Sequence, residues 1–500
     1  MPATGETLDA DLISQISAAA LTEAQARGAS EASVRIEEIR AQYVALRDGA
    51  LETTLDTTDL GMGVRVVHSG ATGFAASVDL RADAASALSA QAVGVAQVVA
   101  TSRRSPFELA PEPGHGSIEW SSPFTKDPCE VPLADKVELL SSWSRQLLSA
   151  PGVSHVSARV LAVSEIKHYT DAAGTVASQR RVRIHPAFEL VGLGNDGDFE
   201  TMRTIAPPVG RGWEYLEGDG WDWEEEIAEL PEMLAEKLRS PTVRAGHYDL
   251  VVDPTNLWLT IHESIGHATE LDRALGYEAA YAGTSFATPD RLGSLQYGSS
   301  VMNVTGDRTA ERGLATIAID DEGVETQSFD LIKDGVLVGY QLDRSTAAVA
   351  GYGRSNGCAF ADSPLHVPIQ RMANVSLQPD PDGPSTAELI ADVQDGFYVV
   401  GDKSWSIDMQ RYNFQFTGQR FFRIENGELA GQVRDAAYQA TTTDFWGAME
   451  AVGGPSTYLL AGAFNCGKGQ PGQIAAVSHG APSVLVRNVN ILNARAEAGR

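Results

Sequence analysis

Two imidazoles and a carboxylate fall in one short run, His262-Glu263-Ser264-Ile265-Gly266-His267. A regular α-helix cannot aim both rings at one point. Each helical residue turns about 100°, so residues at i,i+4 lie roughly 40° apart and residues at i,i+5 about 140° apart. The rings can meet on one ion only if the chain widens or breaks between them, as a π-bulge does. Gly266, just before the second histidine, is where the backbone is expected to yield most cheaply. Two unrelated histidines on an ordinary helix is the alternative reading, because short motifs recur by chance. The preceding run, Tyr248-Asp249-Leu250-Val251-Val252-Asp253-Pro254, reads as a buried strand stopped by a proline. A helix is expected from Thr255-Asn256 onward, with Leu257, Leu259 and Ile261 apolar. A strand feeding such a segment suits metal-dependent hydrolysis: neutral histidines ligate zinc, and an adjacent Glu takes a proton from the water at the metal. The familiar zinc-protease helix is H-E-x-x-H; this motif is one residue longer.

Two histidines do not complete a zinc site, and a third protein ligand is required. Cys466 lies in the Gly-rich stretch Asn465-Cys466-Gly467-Lys468-Gly469-Gln470-Pro471-Gly472, beside a lysine that would favour its thiolate. Glu270, further along the motif segment, competes for the role. His366 and His479 lie in the same half and could line a cleft, although core or surface positions are the plainer reading of each. Cys129 and Cys358 read as incidental thiols.

A net charge of −28 argues against nucleic acid or an anionic membrane as the main partner. Three scattered cysteines make no disulfide framework and fit a reducing, cytoplasmic setting. The first residues lack the basic and apolar regions of a signal peptide, and no apolar run reaches the ~18 residues of a membrane span.

Helical spacing is expected over 8–27 (capped by Thr7 or Asp9), 82–100, 133–148 and within the acidic stretch 217–239. Glu224-Glu225-Glu226 reads as a solvated face. Strands are expected within 32–51, in a hairpin turned at Ser69-Gly70, and at 153–163 and 176–184. Residues 103–130 read as loop and 241–246 as a linker. The chain is thus α+β: an N-terminal helix-and-sheet domain, 1–240, followed by a mainly antiparallel, barrel-like domain, 241–500, carrying the metal-binding helix. Asp334-Gly335 and Asn426-Gly427 each mark a hairpin; shared turn chemistry explains them better than an internal repeat. No Walker loop or dinucleotide-binding glycine motif occurs.

The second half resembles the TldD/TldE (TldD/PmbA) family of metalloproteases. The resemblance rests on His262-Glu263-Ser264-Ile265-Gly266-His267 with Glu270 and Asp272, and on Gly283-Thr284-Ser285. It extends through Ala318-Ile319-Asp320-Asp321-Glu322-Gly323, Leu331 to Tyr340, Arg371-Met372-Ala373-Asn374 and Ile424-Glu425-Asn426-Gly427, and ends at Cys466-Gly467-Lys468-Gly469-Gln470. The N-terminal half matches in outline only. The resemblance implies zinc on His262, His267 and Cys466, in preference to Glu270, with Glu263 as general base. It implies a TldD-type catalytic subunit that cleaves unfolded or short peptides, paired with a TldE-like subunit, a homodimer being the alternative. Peptides would add to sheet edges through main-chain hydrogen bonds. Two stretches depart from the family pattern, Gly401 to Asp408 and Ala475 to Gly480, which bears on substrate choice. The rival readings are a non-catalytic peptide-binding subunit and a zinc amidase acting on a small molecule.

Overall fold

The structure, a computed structural model, describes residues 9–102, 108–194, 197–469 and 471–497. Thr7, residues 103–107 and Gln470 lie outside the described residues. The first helix, α1 (Ala10–Ala26), is capped by Asp9, whose side chain accepts from the Asp11 N–H. Strands β1 (Glu31–Arg47), β2 (Ala50–His68) and β3 (Ala71–Ser77) follow, then α2 (Ala82–Ser102). Ser69 and Gly70 both have φ > 0, as the tight β2–β3 turn requires. The loop expected over 103–130 contains a strand, β4 (Gly116–Ser121), which lies parallel to a later one. Its short polar run Gly-Ser-Ile-Glu-Trp-Ser carries little strand signal, and pairing to an existing edge makes it one.

Helix α3 (Leu133–Leu148) leads into two long strands, β5 (Val153–Asp171) and β6 (Thr175–Leu193), then β7 (Phe199–Arg203) and α4 (Trp223–Arg239). Both long strands run well past the expected bounds: β5 continues through the buried charged residues Glu165 and Lys167, and β6 through the apolar Ala187, Phe188 and Leu190. The sheet order is β3-β2-β1-β5-β6-β4, with β7 beside β6. Helices α1 and α2 cover the β1–β3 side, burying Ile16, Ala20, Leu88, Ala92 and Ala96. Helix α2 is long and apolar enough to cross a membrane by length and composition alone; here one face of it closes this core. Within the acidic run, Glu224 and Glu225 are exposed as expected. Glu226 instead is buried and accepts from the Trp221 indole at 2.6 Å.

Beyond residues 241–245 the chain enters β8 (Gly246–Val252) and α5 (Pro254–Ile261). Asp253 caps this helix by accepting from the Thr255 N–H at 2.9 Å, and Pro254 occupies its first position, where no N–H is needed. Later come β9 (Asp395–Ile407), β10 (Asn413–Glu425), β11 (Ala436–Thr441), β12 (Leu459–Lys468), β13 (Gln473–Ala481) and β14 (Val484–Asn493). Strands β9, β8, β14, β11 and β10 pair in that order, and β10 pairs back onto β9, closing a five-stranded barrel. Its core of Leu250, Val252, Phe397, Phe416, Tyr438 and Val486 is shared by Leu257 and Ile261 of α5. The fold is α+β with mostly antiparallel sheets. Asp334-Gly335 and Asn426-Gly427 both turn hairpins with φ > 0 at each residue, but in different sheets.

The two halves meet over buried charge. Lys167 on β5, 1% exposed, contacts Asp321 at 2.8 Å and Glu37 at 3.1 Å. Burial alone would raise the Asp321 carboxyl, but Lys167 and Arg35 hold it below its usual value. Burial dominates at Glu37 and pushes it up to about 7 despite Lys167. Replacing Lys167 with Met removes a buried cation shared by Asp321, Glu37 and Glu165 and leaves Arg35 alone beside the first two, so unfolding free energy should fall by about 3–5 kcal/mol in urea titrations. The depressed Asp321 contributes stability above its unfolded pKa of about 4 and loses it as pH falls. The Lys167→Met deficit should therefore shrink in acid. An equal deficit at pH 7 and pH 3 would contradict this account.

Candidate functional site

Helix α5 does not continue regularly into the motif. Residues His262–Gly266 form a π turn, and the His267 N–H reaches back to the His262 carbonyl, five residues earlier. The widened turn brings the two imidazole centroids within 4.7 Å of each other. A π turn disturbs the regular pattern of carbonyl acceptors, and side chains supply donors around it. Tyr297 donates to the Ser264 carbonyl at 2.5 Å, and the Gln341 amide donates to the Gly266 carbonyl at 2.7 Å. The Ser264 hydroxyl donates to the Thr260 carbonyl and accepts from the Trp446 indole.

Gly266 belongs to the widened turn, but its backbone does not require glycine. Its φ of −52° and ψ of −61° are helical. Glycine is needed there for space: a Cβ would lie 2.5 Å from Met372 Sδ and 3.5 Å from His479 Cε1.

Hydrogen bonds set the tautomers of both motif histidines. His479 Nδ1 sits 2.9 Å from the Val375 carbonyl, an acceptor only, so the proton is on Nδ1 and its Nε2 must accept. His262 Nδ1, 2.7 Å from that Nε2, is therefore the donor. His267 Nδ1 lies 2.8 Å from Glu270 Oε2 and donates to it. Burial pushes His267 down to about 3 and His479 to about 4, and carries His262 far below its usual value. Both motif rings are thus neutral, with the lone pair of each on Nε2.

Cys466 on β12 completes the cluster. A bulge between Ala463 and Cys466 shifts the β12–β13 register next to this residue. Cys466 Sγ lies 3.5 Å from His267 Nε2, and ligand atoms of His262, His267 and Cys466 all fall within 4.8 Å of one another. Zn–N and Zn–S bonds of about 2.0–2.3 Å at tetrahedral angles separate N and S by about 3.5 Å, so the donor set fits a metal of that kind. Arg371 pins the hairpin by donating to the carbonyls of Cys466 (2.6 Å) and Gln473 (3.1 Å). Lys468 does not govern the thiol as expected. Its ammonium binds Glu270 and Asp272, both at 2.9 Å, while burial pushes the Cys466 thiol up to about 11. Glu270 faces the second nitrogen of His267, so it orients that ring.

Glu263, the middle residue of the motif, is buried and paired with Arg411 at 2.5 Å. Burial raises its carboxyl, and Arg411 limits the rise. Arg411 carried no sequence signal. It lies in a turn where Asp408 accepts from the N–H groups of Gln410, Tyr412 and Asn413, and its own φ is +65°. A cavity of about 570 Å³ opens onto His262, Glu263, His267 and Cys466. Residues of β5, β6, the end of β7 and the segment after it also line this cavity. His366 does not line it; it is exposed and bonded to Asp362. The two stretches that depart from the family pattern both touch the site, through Asp402 and Trp405 on the cavity wall and through His479.

The family model for the PmbA/TldA metallopeptidase C-terminal domain matches residues 245–493, and that for PmbA/TldA metallopeptidase domain 1 matches 32–96. A metalloprotease of Methanothermobacter thermautotrophicus is 28% identical over 92% of this chain and 95% of its own length. One of Archaeoglobus fulgidus is 30% identical over 72% and 78%. A zinc metalloprotease TldD homolog of Saccharolobus solfataricus is 26% identical over 55% and 58%. Among solved structures, a proposed modulator of a DNA gyrase from Thermotoga maritima superposes with a TM-score of 0.75 at 16% identity, covering 96% of this chain and 99% of that one. TldE from Thermococcus kodakarensis superposes at 0.67 and 16%, covering 94% and 98%. These two share the fold. The chain belongs to the TldD/PmbA metallopeptidase family.

Gly266→Ala should cost about 1–3 kcal/mol through overpacking against Met372. Adding Met372→Ala should recover part of that loss in thermal unfolding. A Gly266→Ala protein as stable as wild type would show that the contact is not tight.

Proposed function

We propose that this chain is a zinc-dependent peptidase that hydrolyses bonds in unfolded or short peptides. The observation that carries the reading is the convergence of two neutral histidines, each with its Nδ1 proton committed, on the sulfur of Cys466. That donor set suits zinc, and the Saccharolobus relative's description as a zinc metalloprotease agrees. His262, His267 and Cys466 would hold the ion. Bound there, zinc supplies Lewis acidity to the scissile carbonyl and to the attacking water.

Glu263 is the proton carrier. Burial raises its carboxyl above the ordinary carboxylate value, and the Arg411 guanidinium beside it favours the ionised form. It takes a proton from the water and returns it to the leaving amine. Peptide binding is supported by β12, which pairs only with β13 among the described residues and whose residues 461–467 line the cavity. Its free edge offers main-chain groups to an extended segment, which favours low sequence specificity. The likeness to a TldE structure supports pairing with a TldE-like subunit as the assembly.

Glu263→Gln should retain zinc and lower the cleavage rate of a denatured substrate by about 10²-fold or more. Zinc analysis beside a peptidase assay decides it, and full activity in that variant would sink the mechanism. Replacing the partners of the ligands should act on the metal instead. His479→Phe removes the acceptor opposite His262 and Glu270→Leu the acceptor opposite His267, so zinc affinity should weaken by about 10–100-fold in chelator competition. Unaltered affinity in both would mean that the ring protons are not what orients the site.

A further inference from the structure

We propose that Arg159, which lines the same cavity as the His262/His267/Cys466 cluster, centres a carboxylate-recognition subsite that selects peptides carrying an acidic side chain or a free C-terminus. This rests on the peptidase reading above and names its preferred substrates. Three arginines line the cavity, Arg159, Arg203 and Arg411, against two carboxylates, Glu263 and Asp402. Arg411 is taken by Glu263, and Arg203 by Asp402 at 2.8 Å. The Arg159 side chain makes no hydrogen bond or ion pair with the described residues, and it is only half-buried. The cavity therefore carries an uncompensated positive charge inside a chain of net charge −28.

Arg159 is also firmly placed. It sits mid-strand on β5, opposite Ala45 on one side and Ala187 on the other, so the backbone that presents it is hydrogen-bonded along both edges. Beside it the His185 ring stacks on Phe464 across 6.0 Å. Burial, with help from Arg159 and Arg203, pushes His185 down to about 3, so it shapes the pocket without adding charge. A guanidinium fork on a rigid strand, partly shielded from water, matches a carboxylate bidentately. The long-range field of an acidic chain repels such peptides, so any preference for them must come from contacts within the cleft.

The test is equilibrium binding by fluorescence anisotropy, using the full-length, zinc-loaded Glu263→Gln protein so that no probe is cut. Labelled peptides of equal length carry an amidated C-terminus and no acid, a free C-terminal acid, or one internal Glu in place of Gln. One or both carboxylate peptides should bind about 10–100-fold more tightly than the neutral one, and which arm responds identifies the source of the carboxylate. Adding Arg159→Gln should abolish the difference, and Arg159→Glu should shift preference to a Lys-bearing peptide. Arg81→Gln, which removes one positive charge from an exposed site elsewhere, should preserve the preference. If Arg159→Gln does not fold, Arg159→Lys keeps the charge without the fork and should retain only part of the preference. Equal binding of all three peptides, no binding of any, or a preference that survives loss of Arg159 would overturn the proposal. Carboxylate-dependent binding without turnover by the wild-type protein would overturn the peptidase reading alone; turnover without the preference would overturn this one alone.

Discussion

The hydrogen bond from the His267 N–H to the His262 carbonyl spans five residues, and the site depends on it. A four-residue step would leave the two imidazoles diverging around the helix. The wider turn brings them face to edge, but it upsets the local pattern of backbone acceptors. Tyr297, Gln341 and Trp446 answer it, each from a separate part of the chain. A π turn without those partners would leave polar backbone in a dry interior, which is costly. The local geometry of the motif is thus maintained by residues remote in sequence.

The same dependence governs the proton positions. An imidazole presents a free lone pair toward the cluster only if its other nitrogen is committed as a donor. Val375 sets His479, His479 sets His262, and Glu270 sets His267. Lys468 holds Glu270 in turn, and Arg371 fastens the hairpin that carries both Cys466 and Lys468. The segment Arg371-Met372-Ala373-Asn374 thereby acts as a clasp. Arg371 grips the hairpin, Met372 fills the space that Gly266 leaves, and Asn374 accepts from the Ala315 and Ser478 N–H groups. The cluster assembles only when β12 and β13 are folded against α5.

Several elements were legible from local chemistry. Helices α1 and α3 follow from apolar spacing, the β2–β3 turn from Ser69-Gly70, and a helix opening near Thr255 from the proline that ends β8, one residue after its actual start at Pro254. The extra residue in the motif was enough to require a widened turn. Other features were hidden because their signal is not local. Strand β4 exists through pairing with β6, the length of β5 reflects burial of Lys167 between the halves, and Gly266 answers to a sulfur atom about a hundred residues away. Arg411 resembles any other arginine until the Asp408 turn aims it at Glu263.

The sequence by itself determined which groups exist and what spacing they must overcome: two histidines, a glutamate between them, a helix start, and a thiol about two hundred residues later. Tertiary structure decided what those groups are chemically. Burial keeps the histidines neutral and raises the thiol, and the acceptors opposite each ring decide which nitrogen is free. The physical reason is that desolvation and hydrogen-bond partnership belong to a residue's surroundings in space, and here those surroundings come from Val375, Arg411, Lys468 and His479, all far from the motif in the chain.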